Sequence, residues 1–400
     1  MNTKFLAIDR NEPDTLVINK AGRIIKSGGL VAFPTETVYG LGADALNPDA
    51  VSRIYEAKGR PSDNPLILHV DTLALAENLV DMNSTARKLA LTFWPGPLTL
   101  VLPAKSCVPE ITRGGLETAA VRMPDNLIAR MLIYASETPI AAPSANLSGR
   151  PSPTNAESVY YDMNGKIDMI LDGGSVRVGI ESTVIDVTDP GHVLLLRPGG
   201  TSRQDIERVI NTELYVPDSK SAKRSPGTHY KHYAPSIPVR IWRRNSGEDD
   251  TSLSCVNSGT DGEVATTCVN SGTESEVATT CVRGGRVRSA PPLRKGRPGE
   301  VAYIYSCTSR GRERSFISPC VNSGIEGEAA DYVYLGIHEP PFQTAKTILF
   351  TDYADYAHEL FASFRRLERE GYTGIIVEWP EEDSGICEGL RDRILRAAYV

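Results

Sequence analysis

Several motifs that mark common protein classes are missing from this 400-residue chain. It contains no Gly-x-x-x-x-Gly-Lys-Ser/Thr segment, which excludes a P-loop phosphate site. No Gly-x-Gly-x-x-Gly follows the first predicted strand, which argues against a Rossmann dinucleotide site there. Cys-x-x-Cys and His-Glu-x-x-His are also missing, so structural zinc is not expected. No apolar run approaches the ~18–20 residues that cross a bilayer, so a membrane protein is not expected either.

The composition is that of a soluble globular protein, with 40% hydrophobic and 23% charged residues. The net charge of −7 argues against a general attraction to nucleic acid, and we expect no stable nucleic-acid binding. The first ten residues lack the apolar core of a signal peptide, and the seven cysteines form no metal-binding spacing. These features predict a cytoplasmic protein with reduced thiols.

Alternating helix and strand patterns fill residues 1–215 and predict an α/β domain with one large sheet. Asp14 is expected to cap a helix that runs through Ile25, and Asn47-Pro48 to start a second helix that ends at Gly59. Four more helices are predicted at Thr85–Phe93, Asn126–Tyr134, Asn155–Asp162 and Ser202–Ile210. Strands are predicted at Leu30–Phe33, Leu66–Val70, Leu98–Leu102, Ala119–Arg122, Ile140–Ala142, Met169–Leu171, Thr183–Val187 and Val193–Leu196.

The second half of the chain predicts a smaller α/β domain that is interrupted by an insertion. Its elements are strands at Val239–Arg243 and Gly374–Trp379, and helices at Ala354–Glu370 and Gly389–Ala398, with ordered sequence also within Glu300–Cys307 and Asp331–Gly336. Between them, the segment Cys255–Thr267 is nearly copied as Cys268–Thr280, with a period of thirteen residues rich in Ser, Thr and Gly. Such units bury little, which predicts a disordered insertion over 245–299, with 330 as its outer limit.

Two loop segments carry the chemistry-bearing residues of the first half. PTETVYGLG at residues 34–42 is expected to form a polar, glycine-bearing turn after a hydrophobic strand, and KGRPSDNP follows at residues 58–65. In the second segment, Lys58, Arg60 and Ser62 supply an ammonium, a guanidinium and a hydroxyl group, which suit phosphate or carboxylate ligands. Together these loops predict a pocket for an anionic ligand.

Further polar groups lie at the ends of other predicted strands. They are in APSANLSG at residues 142–149, GIESTV at 179–184, LRPG at 196–199, and VRMP at 121–124, which contains Arg122. Each segment alone is typical of an ordinary turn. Together they bring several cations and hydroxyl groups to strand ends, with no catalytic triad among them.

These motifs, with WPGPLT at residues 94–99, occur in the same order in the YrdC-type threonylcarbamoyl-adenylate synthases, which the chain resembles over about residues 15–200. The HYAP segment at 232–235 and the smaller C-terminal domain resemble the family's long, two-domain form. The resemblance implies a YrdC-like twisted open sheet with a concave, positively charged cavity, followed by a smaller, Rossmann-like α/β domain. It divides the chain into a catalytic domain at 1–215, a linker that closes the site as a lid at 216–238, and a C-terminal domain at 239–400.

The resemblance also implies two sets of site residues. The L-threonine set is Thr35, His69, Arg122 and Ser182. The ATP set is Lys58, Arg60, Ser62, Thr118, Ser144, Asn146, Ser152, Arg197 and Tyr233, with Lys58 and Arg60 as the catalytic charges. For His69, a buried strand histidine without a ligand remains an equally good interpretation.

The implied reaction joins L-threonine, bicarbonate and ATP into threonylcarbamoyl-AMP and pyrophosphate, with Mg²⁺ on the ATP phosphates. A downstream tRNA threonylcarbamoyltransferase would use the adenylate to modify adenosine 37 in tRNAs that read ANN codons. Charge grows on phosphoryl oxygens in such a reaction, so positioned Lys and Arg side chains stabilise the transition state. A lid that excludes water would protect the carbamate and the adenylate from hydrolysis.

Three other functions would use parts of this sequence. An RNA-binding module could use the basic stretch at 281–314, but that stretch lacks the stacking aromatics of such modules. A carbamoyl-phosphate-dependent carbamoyltransferase of the same fold would need acylphosphatase and zinc-finger segments, for which the chain has neither room nor cysteine spacing. A non-catalytic scaffold would not need the intact set of cations.

We expect deletion of residues 254–299 to leave activity intact, because longer loops cost little in closure entropy.

Overall fold

The computed structural model describes residues 2–217, 233–244, 329–383 and 385–398, together with the backbone of four short strands between residues 255 and 318. Apart from those strands, the predictions for the repeats, for Glu300–Cys307 and for most of the linker lie outside the described residues. Contacts divide the chain into two compact units. The first comprises Met1–Ile237, Phe350–Gly371 and Pro380–Ala397, and the second comprises Pro238–Leu349, Tyr372–Trp379 and Ala398–Val400. The predicted domain boundaries stay predictions.

A mixed sheet of ten strands forms the centre of the first unit, within its described residues. The strands are β1 Lys4–Ala7, β2 Val31–Phe33, β3 Gly40–Asp44, β4 Ile67–His69, β5 Leu98–Pro103, β6 Thr118–Arg122, β7 Ile140–Ala141, β8 Met169–Asp172, β9 Thr183–Asp186 and β10 Leu194–Arg197. Their spatial order is β1-β8-β2-β3-β7-β4-β6-β5-β9-β10. The predicted large α/β sheet is confirmed.

The helices of the first unit begin and end at the residues that its sequence signals favour. They are α1 Thr15–Lys26, α2 Pro48–Lys58, α3 Leu73–Leu79, α4 Ser84–Phe93, α5 Leu127–Ser136, α6 Ala156–Met163, α7 Arg203–Ile210, α8 Tyr353–Glu370 and α9 Cys387–Ala398. The Asp14 side chain accepts a hydrogen bond from the Leu16 amide, which caps α1 as predicted. Asn47 caps α2 in the same way, and Gly59 ends it with a left-handed φ of 60°.

Helices pack on both faces of the large sheet. On β2, Val31 and Phe33 belong to a core cluster with residues of α1 and α5. Ala32, between them, belongs to a second cluster with residues of α2, α4 and α6. This alternation follows from the two-residue period of a strand, and it buries β2 completely.

The second unit is built on a parallel sheet of four strands. They are β11 Val239–Trp242, β16 Tyr332–Gly336, β17 Lys346–Leu349 and β18 Gly374–Glu378, in the spatial order β11-β18-β16-β17. The described backbone of the intervening segment pairs β12 Cys255–Asn257 with β15 Ile317–Ser318, and β13 Thr280–Arg283 with β14 Arg286–Ser289. The smaller, Rossmann-like sheet is confirmed. Among the described helices, none combines the length and the apolar character that a membrane crossing needs.

The segment after β2 corrects one prediction. The sequence suggested a glycine-bearing turn over residues 34–42, but the strand β3 begins at Gly40. A side chain at Gly42 would come within 2.8 Å of both Phe33 and Ile140. Gly42 is therefore required for close packing inside the sheet, and the predicted turn is confined to the residues between β2 and β3. The predictions also omitted β1, α3 and β17, which are short elements with weak patterns.

Candidate active site

A concave cavity lies where several strands of the large sheet end. Nine of the residues that the sequence assigned to the site are among its described lining: Thr35, Arg60, His69, Arg122, Ser144, Asn146, Ser182, Arg197 and Tyr233. The described lining contains four arginines, including Arg150, and one carboxylate, Glu181. Positive charge therefore predominates in this part of the cavity.

Sheet register explains how distant residues meet at this edge. Strands β4 and β6 are parallel neighbours, and their register pairs His69 directly with Arg122. Each is the last residue of its strand, so both side chains lie at the carboxyl edge. Arg197 ends β10, and Ser182 directly precedes β9. Strand ends thus provide a rigid frame for the polar groups of the cavity.

The guanidinium group of Arg122 is fixed by three different groups. Its Nε donates to the Gly96 carbonyl oxygen at 3.2 Å and its Nη1 to Thr37 Oγ1 at 3.0 Å, while Nη2 lies 2.6 Å from the Glu36 carboxylate. The Arg122 and Glu36 side chains are 4% and 1% exposed, so this is a buried ion pair. Thr35 lies next to it and donates from Oγ1 to the Val38 carbonyl oxygen at 2.6 Å.

His69 is held as a neutral imidazole. Its Nδ1 lies 3.2 Å from the Ile67 carbonyl oxygen, and its ring meets Phe33 edge-on. Burial, and then the nearby positive charge of Arg122, lowers the pKa of His69 to about 3. The ring therefore offers a hydrogen-bonding group of fixed charge at neutral pH.

Two arginines line the part of the cavity assigned to ATP. Arg197 donates from Nε and Nη2 to the Ser182 carbonyl oxygen, at 3.2 and 2.9 Å. Arg60 donates from Nη2 to the Asn64 and Pro65 carbonyl oxygens, at 3.3 and 3.1 Å. The Nε of Arg60 is buried and has no hydrogen-bond partner among the described residues. A buried donor of this kind is expected to meet a ligand.

Lys58 contacts the backbone of a lining loop and is not itself among the described lining residues. Its Nζ donates to the Ser144 and Asn146 carbonyl oxygens, each at 2.5 Å. Burial, and then the charge of Arg60, lowers the pKa of Lys58 well below its ordinary value. Lys58 therefore connects the end of α2 to the loop that presents Ser144 and Asn146, and its predicted contact with phosphate remains a prediction.

Three other predicted residues also lie outside the described lining. Ser62 borders a separate surface groove, together with Glu110. Thr118 begins strand β6, whose opposite end carries the lining residue Arg122. Ser152 is buried and donates to Glu181 Oε1 at 2.5 Å, so it acts on a lining residue. Their roles in binding ATP stay predictions.

The sequence interpretation missed four residues that shape the site. Glu36 and Thr37 bind Arg122, Glu181 lines the cavity, and Arg393 of α9 binds Glu181. Glu36 and Glu181 lie inside the motifs PTETVYGLG and GIESTV, but the sequence interpretation gave neither carboxylate a role. Arg393 left a signal, because it shares the buried face of α9 with Leu390 and Ile394.

A twisted open α/β sheet with an arginine-rich cavity at its strand ends defines the YrdC-like class of proteins. The Sua5–YciO–YrdC family model, described as "Telomere recombination", matches residues 23–199. The model described as "Threonylcarbamoyl-AMP synthase, C-terminal domain" matches residues 201–399. The chain belongs to the long-form, two-domain Sua5/YrdC family of threonylcarbamoyl-AMP synthases.

The chain matches about two thirds of the length of two relatives named threonylcarbamoyl-AMP synthase. The protein of Pyrococcus abyssi is 55% identical over 229 residues, which are 56% of this chain and 67% of that protein. The protein of Bacillus subtilis is 50% identical over 240 residues, which are 58% and 68% of the two chains. The crystal structure of P. abyssi Sua5 complexed with L-threonine matches with a TM-score of 0.74 and 35% identity, covering 99% of this chain and 98% of that one.

Proposed function

We propose that this chain is an L-threonylcarbamoyladenylate synthase, a nucleotidyltransferase that forms threonylcarbamoyl-AMP and pyrophosphate from L-threonine, bicarbonate and ATP. The observation that carries the proposal is the cavity itself. Its described lining has four arginines and one carboxylate, and beside them lie the hydroxyl groups of Thr35, Ser144 and Ser182. ATP and a threonine carbamate are both anions, and such a lining favours them electrostatically.

The arginines suit the transfer of an adenylyl group. The carbamate forms when the threonine amine attacks CO2 derived from bicarbonate and loses a proton. A carbamate oxygen then forms a bond to the α-phosphorus, and the bond to the pyrophosphate oxygen breaks. Negative charge grows on the α-phosphoryl oxygens and on the leaving group, so we assign Arg60 and Arg197 to stabilising it. The buried Nε of Arg60 is a donor that the described protein does not use.

The threonine end is assigned to the region around Arg122. A guanidinium group fixed by Glu36, Thr37 and Gly96 presents a rigid positive charge, which suits the threonine carboxylate. Ser182 Oγ lies 2.8 Å from Thr99 Oγ1, so the Ser182 hydroxyl is also preorganised in this region. The complex of P. abyssi Sua5 with L-threonine supports threonine as the ligand.

We propose that Mg²⁺ enters the site coordinated by the ATP phosphates. The lining carboxylate Glu181 already accepts hydrogen bonds from Ser152 and Arg393, so it is poorly placed to become a metal ligand. The arginine-rich lining fits the phosphates that would carry the ion. When bound, Mg²⁺ would neutralise phosphate charge and favour departure of pyrophosphate.

The proposal extends to the protein's setting. A cytoplasmic location would give access to ATP, threonine and bicarbonate, and a tRNA threonylcarbamoyltransferase would consume the adenylate for adenosine 37 of tRNAs that read ANN codons. Tyr233 is assigned to the lid. It is buried in the lining with a φ of 69°, a left-handed conformation that is uncommon for tyrosine and is typical of functional sites.

Pyrophosphate release by the purified chain with ATP and Mg²⁺ tests the proposal. We expect release that requires both L-threonine and bicarbonate, with threonylcarbamoyl-AMP identified by mass spectrometry. L-Serine in place of threonine provides a specificity control. Release that is independent of threonine would indicate simple hydrolysis of ATP to AMP and pyrophosphate, and no release with tight RNA binding would favour the RNA-binding alternative.

A further inference from the structure

Glu181 is a negative charge placed among groups that would bind an anion. It is the one carboxylate in the described lining of the cavity, and it is 7% exposed. Burial alone would raise the pKa of Glu181, but Arg393 and then Arg197 hold it below its ordinary value. The carboxylate is therefore ionised at neutral pH. Unless another cation neutralises it, it would repel the ATP phosphates.

The neutralising cation is Arg393, which comes from the C-terminal helix α9. Its Nε donates to Glu181 Oε2 at 2.6 Å, and its side chain is completely buried. Its Nη1 donates to the Pro198 carbonyl oxygen at 2.9 Å, directly after the lining residue Arg197. Asp392 lies 2.6 Å from the same Nη1, but its own charge is balanced by Arg396 at 2.9 Å.

Arg393 also contacts the described end of the linker. Its guanidinium carbon lies 5.3 Å from the centre of the Tyr233 ring, within cation–π range. The Tyr233 ring also stacks on Phe361 of α8, with ring centres 5.3 Å apart. One buried side chain therefore touches the carboxylate, the loop after β10 and the lid residue.

We propose that Arg393 is a positioning residue for ATP, which keeps the Glu181 carboxylate neutralised and turned away from the phosphates while it holds Tyr233 in the cavity wall. The inference rests on the proposed function, because it takes ATP as the anionic ligand. It gives the C-terminal helix α9 a direct part in nucleotide affinity.

Substitution Arg393→Met tests the proposal, because methionine keeps much of the buried volume and removes the charge. We expect the KM for ATP to rise at least tenfold, with a smaller change in the KM for threonine, because Glu181 would then repel the phosphates. Adding Glu181→Gln should restore most of the ATP affinity, since glutamine keeps the bond from Ser152 without the charge. A purely structural role of Arg393 would lower Tm and raise the KM values for ATP and threonine together, so a selective rise in the KM for ATP distinguishes the proposed role.

Arg391→Met is the matched control on the same helix. Arg391 donates to the Pro380 carbonyl oxygen and to Asp383, whose side chain is 93% exposed, so we expect no change in the KM for ATP. If Arg393→Met does not fold, Arg393→Gln with and without Glu181→Gln provides the same comparison, because glutamine also removes the charge. An unchanged KM for ATP in a folded Arg393 variant, or a loss that Glu181→Gln does not relieve, would overturn the proposal.

Calorimetric titration of ATP separates this inference from the proposed function. A wild-type protein that binds ATP without threonine-dependent pyrophosphate release would contradict the proposed reaction, while the Arg393 variants would still be compared by their Kd for ATP. A wild-type protein that binds no ATP would overturn the inference as well.

Discussion

Arg365 of α8 is predicted to be required for stability. Its side chain and that of Asp162 of α6 are 3% and 0% exposed. Nη2 donates to Asp162 Oδ2 at 2.8 Å, and Nη1 to Asp162 Oδ1 at 3.3 Å. Nε and Nη2 also donate to the Pro151 carbonyl oxygen. Arg365→Met would leave Asp162 as a buried carboxylate without its closest cation.

The size of the effect follows from what remains around Asp162. Removing one partner of a buried ion pair typically costs ~3–5 kcal/mol. The Leu147 amide still donates to Asp162 Oδ2 at 3.2 Å, and Arg150 Nε still lies 3.6 Å from Oδ1. We therefore expect the lower end of that range, about 3 kcal/mol. For a unit of this size, that lowers Tm by ~6–12 °C.

Thermal unfolding followed by circular dichroism measures this effect. The control is Arg369→Met on the same helix, because Arg369 pairs at 3.8 Å with Glu157, whose side chain is 80% exposed. Exposed pairs contribute little, so the Tm of the control should stay close to wild type. The double variant Arg365→Met/Asp162→Asn should recover part of the loss. A Tm for Arg365→Met equal to that of the control would refute the reasoning.

Three further predictions concern the cavity. Lys58→Met should raise the KM for ATP tenfold or more, because each charge-assisted bond to the Ser144–Asn146 loop is worth ~1.5–3 kcal/mol; a folded variant with unchanged kinetics would contradict this. Arg122→Lys should raise the KM for threonine at least tenfold and leave the KM for ATP nearly unchanged, because one ammonium group cannot reproduce three fixed contacts; an unchanged KM for threonine would remove Arg122 from the threonine site. The folded pKa of His69, about 3, lies below its ordinary value of 6.5, so the unfolded state binds more protons between these values and wild-type stability falls as pH drops through this window. Chemical denaturation should show that the free energy of unfolding of His69→Asn falls less steeply with decreasing pH than that of the wild type, by up to ~1.4 kcal/mol per pH unit. Equal slopes for the two proteins would show that His69 does not titrate in this way.

Local signals predicted most of the fold. Helix α2 shows why, because Asn47, Pro48 and Gly59 act within their own turns of the chain and fix its two ends. The predicted strands of the large sheet were found within one or two residues of their expected bounds. The strand-end positions of Arg122 and Arg197 were likewise predicted, because each arginine comes last in an apolar run.

Contacts between distant segments could not be predicted in this way. The direction of the Lys58 side chain depends on carbonyl groups of a loop 86 and 88 residues away. Strand β3 was not predicted because Gly40 and Gly42 have low strand propensity. The need for glycine at these positions becomes evident only in the folded sheet, where Phe33, Ile140 and Ala142 pack against them. In both cases the sequence contains both partners but does not indicate that they contact each other.

The two buried arginines of the C-terminal helices show how similar signals lead to different functions. Each lies on the apolar face of its helix, which already indicates a buried ion pair in the sequence. Arg365 neutralises Asp162, which lies outside the described cavity lining, whereas Arg393 neutralises Glu181, which is part of it. Loss of either arginine breaks a buried ion pair and should lower Tm. Because Glu181 lines the cavity, loss of Arg393 should also weaken ATP binding, so of these two arginines Arg393 alone is expected to affect nucleotide affinity.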